Sequence, residues 1–268
     1  MRKVWNNIFF TAIVVSLVFA GIGSLFYVNY AREKTCMVAQ YSSNNPVVAE
    51  STVDASIEVR ESDKKQEVVP VSMVDFDKLE AINPDIIAWI NIPGTGIDYP
   101  IAQHPTNDEY YLKHGMNGMS SSHGCPYIEL SDSGKFIEFN TVVYGHNMKD
   151  GSMFAGIHDF EKKSFFDKHR DVKVYTKEHT FTYKTFGAVM YGDAHIPYFY
   201  NDEFESDRTA FLKSLSTDSV PDRSYLANDI HVTEDDCILT LSTCDAVLRD
   251  NRLLLLAVLT EIDGQSAK

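Results

Sequence analysis

From Ile86 to Thr260 the chain is built of short apolar runs broken by turn residues, a pattern that favours sheet over helix. IIAWINIP stands before Gly94-Thr95-Gly96, followed by IDYPIA and by CPYIEL ahead of Ser131-Asp132-Ser133-Gly134. NTVVYG, VKVYT and HTFTYKTFGAVMYG come next, and two strongly apolar runs, CILTLS (237–242) and LLLLAVLT (253–260), close the series. Helical spacing is confined to VDFDKLEAIN, with Phe76, Leu79 and Ile82 on one face, to Met153–Phe160, and to Glu203–Leu215, where Phe204, Phe211, Leu212 and Leu215 share a face. Strands and helices do not alternate as a doubly wound parallel sheet requires. The expectation is a mainly β domain, a mostly antiparallel barrel or closed sheet with helices on its outside.

A second feature fixes where such a domain sits. No charged residue occurs between Val4 and Ala31, and Ile8–Val28 is nearly all apolar or small. As a helix rising ~1.5 Å per residue, that segment is about 31 Å long, the thickness of a bilayer's hydrocarbon layer. It exceeds the about 7–15 residues usual for the apolar region of a cleaved signal peptide, so it reads as an uncleaved anchor. Arg2 and Lys3 stay cytoplasmic by the positive-inside rule, which leaves residues 1–7 inside and sends the bulk of the chain outside. Residues 29–72 read as a stalk or linker. No aromatic residue lies between Tyr41 and Phe76, and such a segment buries too little apolar area to offset its ordering entropy. The folded domain is expected over 73–268.

The formal net charge of −14 argues against a nucleic-acid partner, since no basic surface is available to displace counterions from phosphates. Four cysteines without a C-x-x-C pair make a disulfide scaffold or a zinc site a poor reading, and no metal is expected. Cys36 falls in the stalk, and Cys125 and Cys237 lie in or beside apolar strands, where a buried, inert thiol is the default. Cys244 differs. It ends the apolar run LTLST and opens the polar loop DAVLRDN, where a thiol is accessible and can be aimed. A nucleophilic thiol needs a group to favour its thiolate and one to protonate a leaving amine. Of nine histidines, His146 stands out because it follows an apolar strand and a glycine in TVVYGHNM. Arg252 opens the last apolar run and could reach back to a developing oxyanion, with Arg249 as its rival. Strand alternation does not choose between them, because both faces of 253–260 are apolar.

TLSTC ending one strand, YGHN ending another, and an arginine opening the last strand together resemble a sortase. WINIPGTGIDYPI, NDEYYL, NTVVYGHNM, GSMF, the helix before the final pair of strands and the N-terminal anchor resemble class B sortases in particular, across nearly all of 73–262. The resemblance implies an eight-stranded β-barrel and a catalytic group of His146, Cys244 and Arg252, with no metal and no organic cofactor. It further implies cleavage after Thr of a C-terminal pentapeptide of the Asn/Leu-Pro-x-Thr-Asn/Gly type on a surface protein or pilin. A thioacyl intermediate would then pass to an amine of a cell-wall precursor or a pilin lysine. A groove lined by Asn107, by Tyr198-Phe199-Tyr200 and by Ser242 is also implied. The sequence departs from the class pattern just after the cysteine, where it reads Asp245-Ala246-Val247-Leu248. The competing readings are a hydrolytic cysteine peptidase acting on cell-wall or surface peptides, and a non-catalytic anchored assembly factor. An anchor restricts an enzyme to the layer where membrane-associated substrates meet and raises their effective concentration.

Overall fold

Sequence alternation sets the first strand. In β1 (Ile86–Asn91) Ile86, Ala88 and Ile90 are buried while their neighbours are half-exposed. The computed structural model describes residues 74–267 apart from Arg249, so the expected cytoplasmic tail, anchor and stalk lie outside the described residues. Among the described residues, no helix is long and apolar enough to cross a membrane.

Helix α1 (Phe76–Ile82) precedes β1. Asp75 caps it by accepting from the Lys78 N–H at 3.1 Å. Phe76 and Leu79 pack on Ile86 and on Tyr175, whereas Ile82, expected on the same face, is exposed. The strands that follow are β2 (Asp98–Ala102), β3 (Asn140–Tyr144), β4 (Asp171–Thr176), β5 (Thr180–Gly192), β6 (Tyr225–Leu226), β7 (Ile238–Cys244), β8 (Asn251–Ile262) and β9 (Gln265–Ser266). They form one sheet in the order β2-β1-β4-β5-β8-β7-β3, with β6 added to β5 and β9 to β8. All pairs are antiparallel except β3–β7, which is parallel.

The sheet curls. Its edge strands β2 and β3 are bridged through a single residue, Tyr127, which pairs with Ala102 on one side and Tyr144 on the other. The run CPYIEL, expected as a strand, contributes only these bridges. Pro126 has no N–H to give a ladder and serves only as acceptor, from the Ala102 N–H at 2.9 Å. The described sheet therefore has nine strands rather than the expected eight, two of them two residues long.

Two apolar layers explain why β8 reads as an unbroken apolar run. Leu253, Leu255, Ala257 and Leu259 face the interior with Leu239, Leu241, Val143, Ile90 and Phe154. Leu254, Leu256 and Val258 face outward, where α3 (Ile196–Phe199) and α4 (Glu205–Thr217) cover them with Ile196, Phe211 and Leu215. A strand buried on both faces loses its alternation. The expected face of α4 holds for Phe211 and Leu215, but Phe204 precedes the first turn and is exposed. The helix expected over Met153–Phe160 is present over Phe154–Glu161 as a 3-10 helix, and α2 (Lys163–Phe166) follows it.

Candidate active site

Register assembles the site. Cys244, the last residue of β7, lies directly opposite Arg252 of β8, so both side chains leave the sheet on one face. On the other flank Tyr144 is paired in parallel with Ser242, and the ladder continues as the Gly145 N–H donates to the Ser242 carbonyl at 3.1 Å. Counting by two along each strand, Tyr144 and His146 fall on the same face as Ser242 and Cys244. This is the outer face, the one covered further along by α3 and α4. Cys244 is exposed; His146 and Arg252 are half-buried. The structure thus brings the three expected residues together at one end of the sheet.

His146 is held from outside the sheet. One ring nitrogen, Nε2, donates to the carbonyl oxygen of Leu112 at 2.7 Å. A carbonyl only accepts, so Nε2 carries the proton and Nδ1 is the nitrogen left to exchange protons. Leu112 ends a 3-10 turn, Tyr110–Leu112, propped by a stack in which Tyr110 lies between His104 and His114, with ring centroids at 4.2 and 3.8 Å. Gly124 passes close over this contact with φ +64. A Cβ there would stand 2.5 Å from the Tyr111 carbonyl oxygen, 3.1 Å from His146 Cδ2 and 3.2 Å from the Leu112 oxygen. The glycine is therefore part of how the histidine is seated.

Polar groups also converge behind the nucleophile. The Cys244 carbonyl accepts from Asn147 Nδ2 at 2.9 Å. The side chain of Asp245 is 1% exposed and binds Arg223 at 2.7 Å while accepting from the Val247 and Leu248 N–H groups at 2.7 and 2.6 Å. Burial pushes this carboxyl up, but Arg223 and the two N–H donors outweigh it and hold Asp245 at about 2. The other two cysteines within the described residues are inward. Cys125 is buried, free, and its thiol is pushed up to about 12 by burial alone; Cys237, buried at the entry to β7, is disulfide-bonded rather than the inert free thiol expected.

The residues expected to line a groove divide. Ser242 is on the site face, buried, two residues before Cys244. Tyr198 is 80% exposed on α3, with Phe199 also exposed beside it, while Tyr200 is turned inward toward Phe211 and its hydroxyl meets that of Tyr191. Asn107 is exposed and its side chain accepts from the Glu109 N–H at 3.0 Å, which shapes its own loop. No hydrogen bond or ring contact joins Asn107, Tyr198 and Ser242 among the described residues. Arg249, the rival to Arg252, lies outside them. Sequence reading missed Leu112, Asn147, His158, Glu161, Arg223 and Asp245. Asn147 and Asp245 carried one faint signal, as chain neighbours of His146 and Cys244.

His158, Glu161 and Asp245 present ligand atoms within 4.8 Å of one another, a spacing that suits a metal ion. The Arg223 guanidinium already lies against both carboxylates, donating to Glu161 at 2.9 and 3.0 Å as well as to Asp245. The positive charge a metal would bring is supplied by the protein.

A sortase-domain family model matches residues 90–260. The chain belongs to the sortase family. Its relatives place this sortase in class B of a family of cysteine transpeptidases. Sortase B of Staphylococcus aureus is 32% identical over 170 residues, 63% of this chain and 67% of that protein. Sortase B of Listeria monocytogenes is 34% identical over 168 residues, 62% of this chain and 65% of that protein. The X-ray structure of Clostridium perfringens sortase B superimposes with a TM-score of 0.60 at 30% identity, covering 70% of this chain and all of that one. The curled, mainly β sheet with few helices is the sortase fold.

Proposed function

We propose that this sortase cleaves a C-terminal sorting pentapeptide of the Asn/Leu-Pro-x-Thr-Asn/Gly type after its Thr and transfers the acyl group to an amine. The observation that carries the reading is the placement of Cys244 opposite Arg252, with His146 arriving on the same face from the parallel neighbour strand.

In this reading the Cys244 thiolate attacks the Thr carbonyl carbon, and the carbonyl oxygen becomes an oxyanion toward which Arg252 directs its planar fork. Collapse expels the amine of the next residue, which takes a proton from Nδ1 of His146 and leaves a thioacyl enzyme. The incoming amine attacks the thioester, gives its proton to Nδ1, and the thiolate departs. Nε2 stays protonated throughout, bonded to Leu112, so the ring need not turn between the two halves. The exposed Tyr198 and the inward Ser242 suit the two sides of a peptide groove, with Asn107 on a neighbouring loop. The apolar segment 8–28 would hold the enzyme at the outer membrane surface through the stalk, where a surface protein or pilin meets a cell-wall precursor or a pilin lysine.

The test is a panel of fluorogenic pentapeptides varied at the first and last positions, with oligoglycine, diaminopimelate-type and lysine amines. The expected result is cleavage after Thr, abolished in Cys244→Ala, with an amine-dependent ligated product. Free carboxylate as the sole product, whatever amine is present, would instead mean a hydrolytic peptidase.

A further inference from the structure

Behind the three site residues runs one continuous polar network that reaches the Cys244 carbonyl and a chain neighbour of each of the three. Arg223, in a 3-10 turn (Pro221–Arg223) after α4, forks onto Glu161 and also binds Asp245 at 2.7 Å. Glu161 Oε1 accepts from His158 Nδ1 at 2.8 Å. With the proton on Nδ1, His158 Nε2 accepts from Asn147 Nδ2 at 2.9 Å, and the second hydrogen of that amide goes to the Cys244 carbonyl. Asp245 is tied by its own N–H to the Asn251 carbonyl at 3.0 Å. Asn147 follows His146, Asp245 follows Cys244, and Asn251 precedes Arg252. Each of the three therefore has a neighbour in the same network.

We propose that Arg223 is the positioning residue of this site. It holds the 3-10 helix Phe154–Glu161 against the β7–β8 turn, and so fixes the relative placement of His146, Cys244 and Arg252 without touching substrate. The roles of those three rest on the function proposed above. The physical case is the number of constraints converging on one fork. Asp245 is almost fully buried, so its carboxylate needs a fixed cation, and a guanidinium that binds two carboxylates at once has little freedom to move. Nothing else among the described residues ties the 3-10 helix to the β7–β8 turn through paired charges.

The test uses the full-length chain and three measurements. First, Arg223→Gln should lower kcat about 10- to 100-fold with KM for the peptide within about twofold, as expected for misplaced reacting groups rather than lost binding. Arg170→Gln is the control, because Arg170 is also a half-buried guanidinium bound to a carboxylate, that of Asp229, and to the carbonyl of Thr185, which pairs with Ala257 well along β8 from Arg252. It should lower thermal stability and leave kcat unchanged. Second, Asn147→Ala removes no charge and should give the same split even if Arg223→Gln folds poorly. Together the two substitutions should cost no more than the larger one, since both cut one chain of contacts. Third, amides over 245–250 should exchange with deuterium faster in Arg223→Gln, while those at the centres of β5 and β8 do not. Additive losses, a kcat that falls equally in Arg170→Gln, or unchanged exchange over 245–250 would overturn the assignment. A wild-type protein that cleaves no peptide would sink the proposed function instead, and the exchange measurement would then decide the network by itself.

Discussion

Gly145 joins β3 to His146, and its contacts set a measurable limit on how the histidine can be delivered. A Cβ at this position would lie 2.5, 2.6 and 2.9 Å from Cδ2, Cγ and Cε2 of the Phe154 ring. Carbon atoms pack comfortably at about 3.5–4.0 Å, so Gly145→Ala demands a displacement of about 1 Å. Phe154 is fully buried in the interior layer and has nowhere to retreat. Gly145 is pinned as well, its N–H by Ser242 and its carbonyl by the Thr243 hydroxyl at 2.8 Å. Overpacking of this kind costs about 1–3 kcal/mol. At about 2–4 °C per kcal/mol for a domain of this size, the melting temperature should fall by roughly 2–12 °C. A shift of about 1 Å in a reacting group can cost about 100-fold in rate, so peptide turnover should fall by that order even well below the melting point. Differential scanning calorimetry and a fluorogenic cleavage assay read the two effects. Gly192→Ala is the control, since a Cβ there meets nothing within 4 Å and should change neither. A Gly145→Ala protein with wild-type stability and turnover would refute the argument that Phe154 sets the position of His146.

Other outcomes follow from the same geometry. Cys125→Ala should retain cleavage while Cys244→Ala loses it, and iodoacetamide should label the native protein at Cys244 and not at Cys125, whose thiol is buried and pushed up to about 12. Arg252→Lys keeps the charge but loses the planar fork, so turnover should fall about 10²–10³-fold. Alkylation of Cys244, which forms no oxyanion, should continue at the wild-type rate. Asp245 is held at about 2, below the ~3.9 of an unfolded aspartate, so it contributes stability above about pH 4 that is lost as pH falls toward 2. Acid titration followed by circular dichroism should show that loss in the wild type, and Asp245→Asn should lack that part of the slope.

Much of the architecture was legible because its signals are local. Apolar runs between turn residues marked β1, β2, β4, β5, β7 and β8, and the polar loop after LTLST singled out Cys244. His146 was marked by the same logic at the end of NTVVY. Strand alternation did not separate Arg252 from Arg249, because a strand buried on both faces has no alternation to read; the family resemblance favoured Arg252, and the register sets that residue opposite Cys244. CPYIEL looked like a strand because apolar content does not report whether a neighbouring edge is in reach. Two bridges at Tyr127 are all the proline and the curl of the sheet permit. The sequence alone determined which strand ends carry a thiol, an imidazole and a guanidinium. That β3 runs parallel to β7, so that the end bearing His146 meets the end bearing Cys244, was decided by the tertiary structure. So was the reach of Arg223 to Asp245, 22 residues on, and to Glu161, 62 residues back. Pairing direction and long-range ion pairs depend on which surfaces meet when the sheet curls, and no local periodicity encodes that meeting.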